Sequence, residues 1–228
     1  MFRIRIQNKK KCIWYCSAVV SFLLFLLLLG WTNHLANTQD AQQMAGRWSE
    51  KKDVAQISCF FSSKAEVTED TIQSFEYSLK NVLQEASITE TSENPSARLW
   101  VDAYSADGKI TLVNGKNTLD ANAIGIGGDF FMFHPLKLIT GAYFSGNDLM
   151  QDYCIIDQDA AWQLFGSNDV VGMTVYIGNV PHIVTGVVQR PDSRMDKAAG
   201  LNSTVVYVSY ETLSAYGTNN GINHYEIV

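Results

Sequence analysis

An apolar run near the N-terminus, Ile13 to Gly30, constrains this 228-residue chain more than any other stretch. It contains no charged residue, no proline and no amide side chain. As a helix with ~1.5 Å rise per residue, the run is roughly 27 Å long, close to the ~30 Å hydrocarbon core of a bilayer. Because lipid offers backbone groups no hydrogen-bond partners, a helix is the conformation that fits. The run therefore predicts a transmembrane helix that extends from Ile13 through Leu29 to Gly30.

The charges around this run predict its orientation. Five basic residues and no acidic residue precede it, namely Arg3, Arg5, Lys9, Lys10 and Lys11. The next charged residue is Asp40. The positive-inside rule therefore predicts a single-pass plasma-membrane protein with a cytoplasmic N-terminus and an extracytoplasmic region after Trp31. A cleaved signal peptide is the alternative, but the residues after Leu29 offer no convincing small-x-small cleavage site.

The region after the run is acidic. It holds all 23 acidic residues and twelve of the 17 lysines and arginines, so its net charge is −11. This balance argues against nucleic acid and against anionic lipid headgroups as partners of the outer region. Nearly 200 residues remain there, enough for one sizeable domain or two small ones.

The four cysteines fall into two pairs. Cys12 and Cys16 lie one helical turn apart at the predicted inner membrane face, where they are interpreted as small apolar residues rather than as sites of acylation or metal binding. Cys59 and Cys154 each lie in an apolar, strand-like run. An oxidising compartment would permit a disulfide between them, but buried free cysteines fit the pattern better.

Strand patterns outnumber helix patterns in the outer region, which predicts the α+β class. Thr68 is expected to cap an amphipathic helix, and Asp157 is expected to cap a short helix that Gly166 ends. The pair Asp107-Gly108 lies between two alternating runs and predicts a hairpin turn. Further expected elements are strands in 54–61, 152–157, 174–178, 182–189, 204–209 and 225–228, a short helical turn and loop in 129–145, a surface loop in 190–203 and a helix in 211–217.

The order of short motifs in residues 124–190 resembles the extracytoplasmic core domain of MacB-type, FtsX-like ABC transporter permeases. Each motif is weak alone, and their order over about 65 residues is more specific. The matching positions are Gly141, Phe144, Ser145, Asp148, Leu164, Phe165, Gly166, Val171, Gly172, Val175, Ile177, Gly178, Thr185, Gly186, Val187 and Val188. The basic N-terminus, the single apolar run and the strands and helix before this region are similar to the family's layout as well.

This resemblance implies a domain layout. Residues 1–45 would form the basic tail, the transmembrane helix and a stalk, and residues 46–228 the extracytoplasmic core domain. Within that domain a mixed α/β subdomain (about 46–130 and 204–228) would carry an inserted β-rich subdomain (about 131–203). Permeases of the family have three more spans after the outer domain, and this sequence has no second apolar run. We therefore expect either a truncated permease or a single-span relative.

The resemblance also implies a function without catalysis. The chain would relay ATP-driven motion to work outside the cytoplasm, with an ABC ATPase subunit and a multi-span permease, or further copies of itself, as partners in the lipid bilayer. No cofactor is expected, and no catalytic, cofactor-binding or metal-binding residue is predicted. A membrane-tethered enzyme or sensor and an adhesion module are the alternatives from other functional classes.

Several residue groups resemble functional sites but have plainer interpretations. The glycine-rich stretch 125–129 lacks the Lys-Ser/Thr of a Walker A motif, so a strand end is expected there. The set Asp157, Asp159, His182 and Asp192 shows no metal-binding or catalytic spacing. His134 is expected to be a satisfied, half-buried histidine. The apolar cluster Phe131, Met132, Phe133 and Phe144 is assigned to the core rather than to a substrate-facing patch. Asn202 begins a glycosylation sequon that matters only in a compartment that glycosylates.

Overall fold

The computed structural model describes residues 2–37, 40–49, 54–88, 98–190, 194–198 and 203–228. These residues fall into two compact units, Met1–Gln43 and Met44–Val228. The described helices are α1 (Phe2–Asn37), α2 (Met44–Trp48), α3 (Glu69–Glu85), α4 (Phe130–Phe133), α5 (Gln158–Phe165), α6 (Arg194–Ala198) and α7 (Tyr210–Tyr216), with one 3-10 turn at Asp40–Gln42.

The ten described strands belong to one sheet. They are β1 (Ile57–Phe60), β2 (Asp102–Asn114), β3 (Asn117–Gly128), β4 (Leu138–Gly141), β5 (Tyr153–Asp157), β6 (Thr174–Ile177), β7 (Val180–Val188), β8 (Val205–Ser209), β9 (Thr218–Asn219) and β10 (His224–Ile227). The α+β class expected from the sequence is therefore confirmed, since an apolar helix precedes a mixed α/β domain.

The first unit is dominated by α1, which contains the whole predicted span. Its segment Lys11–Leu35 is long and apolar enough to cross a membrane. The apolar side chains of this segment are exposed, including Trp14, Phe22 and Leu27. An exposed apolar surface on every side of a helix is unfavourable in water and is suited to lipid or to other membrane helices.

In the second unit, six strands form a closed ring of hydrogen-bonded neighbours. The ring runs β2–β3–β8–β5–β7–β6 and returns to β2, because β6 pairs with both β7 and β2. The closing contacts join Leu112 to Ile177 and Val113 to Tyr176. Closure leaves no unpaired edge within the ring. Outside it, β10 and β1 extend from β2, β4 extends from β7, and β9 pairs with β2.

The ring surrounds the larger of two hydrophobic clusters. All six strands contribute fully buried side chains to that cluster, such as Leu112, Val187 and Val206, and Leu213 of α7 packs against them. The second cluster contains Ile126, Phe133 and residues around α4. The alternation of buried and exposed positions along β3 and β6 follows the two-residue period of strands. The free cysteine Cys154 lies in the larger cluster, and Cys59 packs against it unpaired.

The hairpin predicted at Asp107-Gly108 is wrong. Both residues lie within β2, where they pair with Ile124 and Ala123 of β3. The turn lies between Asn114 and Asn117, the last pair of the β2–β3 ladder. A different constraint explains the glycine at 108, because a Cβ at this position would lie 2.3 Å from the Thr218 carbonyl oxygen of β9.

Most other expected elements are confirmed. Thr68 precedes α3, and the Thr71 hydroxyl accepts a hydrogen bond from the Thr68 N–H at 3.5 Å. The second expected hairpin joins β6 to β7 through Gly178 and Asn179, which have φ of 56° and 67°. Positive φ at both central positions is the geometry that suits the twist of a two-residue hairpin. The sequence does not predict β4. In the expected surface loop 190–203, α6 is described, and most of the other residues are not.

The expected division of the outer region into two subdomains stays a prediction. Strand β8, from its C-terminal part, pairs with β5, from its expected insertion. Both parts therefore share one sheet, whichever boundaries are drawn through the connecting loops.

The carboxylate of Asp157 joins the end of β5 to two other segments. It accepts a hydrogen bond from the Ala160 N–H at 2.7 Å, which caps α5 as expected, and another from the Val205 N–H at 3.1 Å. Arg190 donates to it from Nη2 at 2.6 Å and from Nε at 3.0 Å. The Asp157 side chain is only 3% exposed, so the loss of any one donor leaves a buried charge under-compensated.

We predict that Arg190→Met lowers the free energy of unfolding by about 3–5 kcal/mol, because it leaves the Asp157 carboxylate buried without its cation. Arg98→Met is the matched control, since Arg98 pairs with Asp129 while its own side chain is 48% exposed. The control should cost at most about 1 kcal/mol. Denaturant unfolding of the full chain in detergent, followed by tryptophan fluorescence, compares the two, and equal losses would contradict the assignment.

A second prediction concerns the corrected hairpin. Gly108→Ala should cost about 1–3 kcal/mol, because the added methyl group overlaps the β9 backbone. Gly115 has φ of 61° but open space around a Cβ. Asparagine tolerates that conformation, so Gly115→Asn should change stability by no more than about 0.5 kcal/mol. Thermal unfolding would contradict this interpretation if the two changes ranked in the opposite order.

Candidate functional site

The apolar surface of α1 is the first candidate functional surface of the chain. Helix α1 carries small residues at Ser17, Ala18, Ser21 and Gly30 among large apolar ones. Small residues let the backbones of two membrane helices approach closely. The span has no charged side chain to form ion pairs, so close packing is the interaction that it offers to other membrane helices.

The motif residues of β4 and β7 lie at a close backbone approach. Gly141 ends β4 with φ of 87°, opposite Gly186 of β7. A Cβ on Gly141 would lie 2.1 Å from the Thr185 carbonyl oxygen, which itself accepts a hydrogen bond from the Ala142 N–H at 3.0 Å. Both the positive φ and the crowding require glycine at 141.

Three other motif glycines end structural elements. Gly166 ends α5 in the left-handed conformation with φ of 74°, as expected. Gly172 has φ of 82° and its N–H donates to the Val184 carbonyl at 2.8 Å. Gly178 forms the β6–β7 turn, and the ring of Tyr216 occupies the space that a Cβ would need. These three positions therefore shape turns.

The remaining motif residues are packed or form a turn. Leu164 and Val187 are buried in the larger cluster, against which Phe165 packs while partly exposed. Phe144 is buried in the second cluster, edge-on to Phe131 at a centroid distance of 5.7 Å. The Asp148 carboxylate accepts a hydrogen bond from the Ser145 N–H at 3.0 Å. These ten of the sixteen matching positions thus lie in packing or turn roles, and their use as a family signature stays a prediction.

The described members of the group Asp157, Asp159, His182 and Asp192 do not come together as one catalytic or metal-binding site. Arg190 bridges Asp157 and Asp159, with 2.5 Å between its Nη1 and the Asp159 carboxylate. His182 instead contacts the Val180 carbonyl and the Thr212 hydroxyl, at 3.0 and 3.1 Å. Burial lowers the pKa of His182, which keeps its imidazole neutral. Asp192 lies outside the described residues, as does the sequon residue Asn202.

The apolar cluster around α4 is mostly core, as expected. Phe131, Phe133 and Phe144 are buried, whereas Met132 is 47% exposed. The glycine-rich stretch 125–129 forms the end of β3 and the residue before α4, also as expected. The Gly127 Cβ position overlaps the ring of Tyr104, so the glycine accommodates an aromatic side chain rather than a phosphate.

A groove of about 770 Å³ lies beside the Asp157–Arg190 pair. Its walls include Ile124, Leu136 and Tyr207. Its volume lies within the ~300–1,000 Å³ of small-molecule sites. Burial, with a smaller effect of the Asp157 charge, raises the pKa of Tyr207 to about 12, so the phenol stays protonated. The groove offers apolar contact area rather than an acid–base pair.

A carboxyl pair lines a second cavity, of about 730 Å³, between α3 and residues 98–102. Burial and the adjacent Asp102 raise the pKa of Glu76 to about 7. Burial is also the main cause of the raised pKa of Asp102. The two carboxyls disfavour simultaneous ionisation, and the pair exchanges a proton with solvent near neutral pH.

A histidine–glutamate cluster was not anticipated from the sequence. His134, directly after α4, is half-buried as expected, but its partner is the buried Glu226 of β10, and His224 lies beside them. The available sequence signal is the spacing of His224 and Glu226, because residues two apart on a strand share a face. Nothing local to His134 indicates that β10 lies next to it.

Comparison with known proteins identifies the family. A sequence profile described as the MacB-like periplasmic core domain matches residues 20–227. The macrolide export ATP-binding/permease protein MacB of Chromobacterium violaceum is 32% identical over 99 residues, which are 42% of this chain and 15% of that protein. Its counterpart in Pasteurella multocida is 30% identical over 98 residues, covering 42% and 14%. The aligned part is thus a small fraction of each relative's length.

Two solved structures are similar at low identity. The periplasmic region of MacB from Actinobacillus actinomycetemcomitans has a TM-score of 0.43 and 24% identity, covering 58% of this chain and 59% of that one. The extracellular domain of the noncanonic ABC-type transporter YknZ from Gram-positive bacteria has a TM-score of 0.43 and 23% identity, covering 56% and 64%. Because the profile match covers nearly the whole chain, the family assignment rests on it: this chain belongs to the MacB-like periplasmic core domain family.

Proposed function

We propose that this chain is the membrane-anchored extracytoplasmic domain of a MacB-type ABC transporter permease, coupling ATP-driven motion to export or other work outside the cytoplasm. In this proposal α1 crosses the plasma membrane once, with its N-terminus in the cytoplasm. The observation that carries it is the family match, which begins within the Lys11–Leu35 segment and reaches β10. One family pattern therefore includes part of the apolar helix and the domain that follows it.

The energy for this work comes from outside these 228 residues. The sequence contains no Walker A motif, whereas the curated relatives are named as ATP-binding/permease proteins. We therefore propose an ABC ATPase as a partner. A single uncharged helix offers no polar path through lipid, so a multi-span permease or self-association supplies the rest of the membrane part.

The closed ring suits a domain that transmits motion. Each strand of the ring is hydrogen-bonded on both sides, and the packed interior resists compression. A force on one strand is therefore shared around the ring instead of separating two sheet edges. The motif glycines at 166, 172 and 178 lie outside the strands and have positive φ, and motion would enter or leave this body through such turns.

A membrane-tethered sensor is the alternative that retains one supporting observation. His134, His224 and Glu226 converge in the described part of the domain, as a ligand-sensing or catalytic site would require. The family match favours the transporter, because the relatives that share it are named for export. Recovery of an ATPase with this chain distinguishes the two functions.

The first prediction here is the orientation of α1. Lys116 is exposed in the β2–β3 turn, so Lys116→Cys should react with a membrane-impermeant maleimide on spheroplasts. Asn8→Cys should react only after the membrane is permeabilised. The background is a chain with Cys12, Cys16 and Cys59 changed to serine.

The remaining cysteine does not interfere with this labelling. Cys154 is fully buried, and burial raises the pKa of its thiol to about 12, so little reactive thiolate is present. Labelling of Asn8→Cys on intact spheroplasts, with Lys116→Cys protected, would reverse the proposed orientation.

The second prediction concerns partners of α1. The full chain, isolated from its native membrane in mild detergent, should retain an ABC ATPase identifiable by mass spectrometry. Replacing Ala18 and Ser21 together by leucine should reduce that recovery several-fold without preventing insertion, because bulk at small positions separates packed helices. The control replaces Val19 and Val20 by leucine, which changes two neighbouring positions of the same span where the side chains are already large. An unmodified chain that retains no ATPase would contradict the transporter function.

A further inference from the structure

The side chains of His134, His224 and Glu226 lie close together beside β10, although His134 is distant from the other two in the sequence. The ligand atoms of His134, His224 and Glu226 all lie within 4.8 Å of one another. Nε2 of His134 lies 2.5 Å from one Glu226 carboxylate oxygen, and Nε2 of His224 lies 3.7 Å from the other. The three side chains are 23%, 18% and 4% exposed, so the cluster lies mostly out of solvent.

The hydrogen bonding of this cluster is incomplete. Within the described ranges, Nε2 of His134, Nε2 of His224 and Oε2 of Glu226 are shielded from solvent and have no partner in hydrogen-bonding geometry. The close approach of His134 to Glu226 is an ion-pair contact. A buried polar atom without a hydrogen-bond partner is unfavourable, and here three such atoms lie close to one another.

We propose that His134, His224 and Glu226 form a binding site for one divalent transition-metal ion, with Zn²⁺ the best match. Two imidazole nitrogens and one carboxylate oxygen are the protein ligands of a known class of zinc site that keeps a fourth position open. Two ligands of one tetrahedral zinc ion lie about 3.3 Å apart, given bonds of about 2.0–2.2 Å. The two histidine nitrogens approach different oxygens of Glu226, at 2.5 and 3.7 Å, and all the ligand atoms lie within 4.8 Å of one another. Rotations of these side chains bring two nitrogens and one oxygen to the spacing that one ion requires.

Two hydrogen-bond donors hold the Glu226 carboxylate in place. Ser58 Oγ donates to Glu226 Oε1 at 2.8 Å, and Gln56 donates to it at 3.3 Å. The other oxygen, Oε2, lies beside Nε2 of His134.

Aromatic rings fix the two imidazoles and leave a route of access. Phe60 stacks on His224 with centroids 4.5 Å apart, and Phe130 stacks on His134 at 4.6 Å. Contacts that orient ligand side chains raise metal affinity. A cavity of about 280 Å³, lined in part by both histidines, opens onto the cluster and leaves room for a water molecule as fourth ligand.

The test uses the full chain in detergent, purified without a polyhistidine tag, stripped with EDTA and desalted. Zn²⁺ is titrated in competition with a chromophoric chelator. We expect one tight ion per chain and a higher melting temperature, because a ligand that binds only the folded state stabilises it. Co²⁺ should give the absorption of a four-coordinate site, and Mg²⁺, which prefers oxygen ligands, should have no effect at equal concentration.

Variants assign the ion to this cluster. His224→Gln and Glu226→Gln should each weaken Zn²⁺ binding by at least about tenfold. His34→Gln is the matched control, because it removes a histidine of α1 and should leave binding unchanged. Circular dichroism establishes that each variant is folded. The proposal is overturned if the unmodified chain fails to take Zn²⁺ from the chelator, or if the cluster variants bind it as the control does.

Discussion

The long antiparallel pair of β2 and β3 is the element on which the rest of the domain depends. Its ladder runs without interruption from Ala103 and Gly128 to Asn114 and Asn117. Strand β8 pairs with the outer edge of β3, whereas β10, β9 and β6 pair with successive parts of β2. The pairing of β6 with β2 closes the ring. The β2–β3 hairpin therefore takes part in both the first and the last strand pairing of the ring that encloses the main core.

The sequence predicts features whose cause is local. Thr68, Asp157 and Gly166 act at helix ends through atoms within a few residues, and their structural roles agree with expectation. The Asp107-Gly108 prediction fails because the same dipeptide is compatible with a turn and with a crowded strand. The position of β9 beside Gly108 decides between them, and β9 lies far from Gly108 in the sequence. Strand β4 is missed because its four residues alternate weakly and pair with β7, more than forty positions away.

The polar cluster beside β10 illustrates the same limit for a site. His224 and Glu226 share a strand face by their spacing, but His134 joins them only because α4 follows directly from β3 and β10 pairs with the adjacent β2. No periodicity carries that information across about ninety residues. The spacing of His224 and Glu226 remains the signal that the sequence offers, because a glutamate is rarely fully buried without a partner.

Asp157 and Glu226, the carboxylates that are buried in the described part of the domain, differ in how completely their charge is compensated. Asp157 receives two backbone N–H groups and two donors from Arg190, so both of its oxygens are occupied. On Glu226, Ser58 and Gln56 donate to one oxygen, while the other meets an imidazole nitrogen outside hydrogen-bonding geometry. The guanidinium group of Arg190 completes the hydrogen bonding of Asp157, so this carboxylate has no oxygen left for a ligand. The Glu226 cluster retains an acceptor and two nitrogens directed at one another, and a cation of the right size satisfies all three at once.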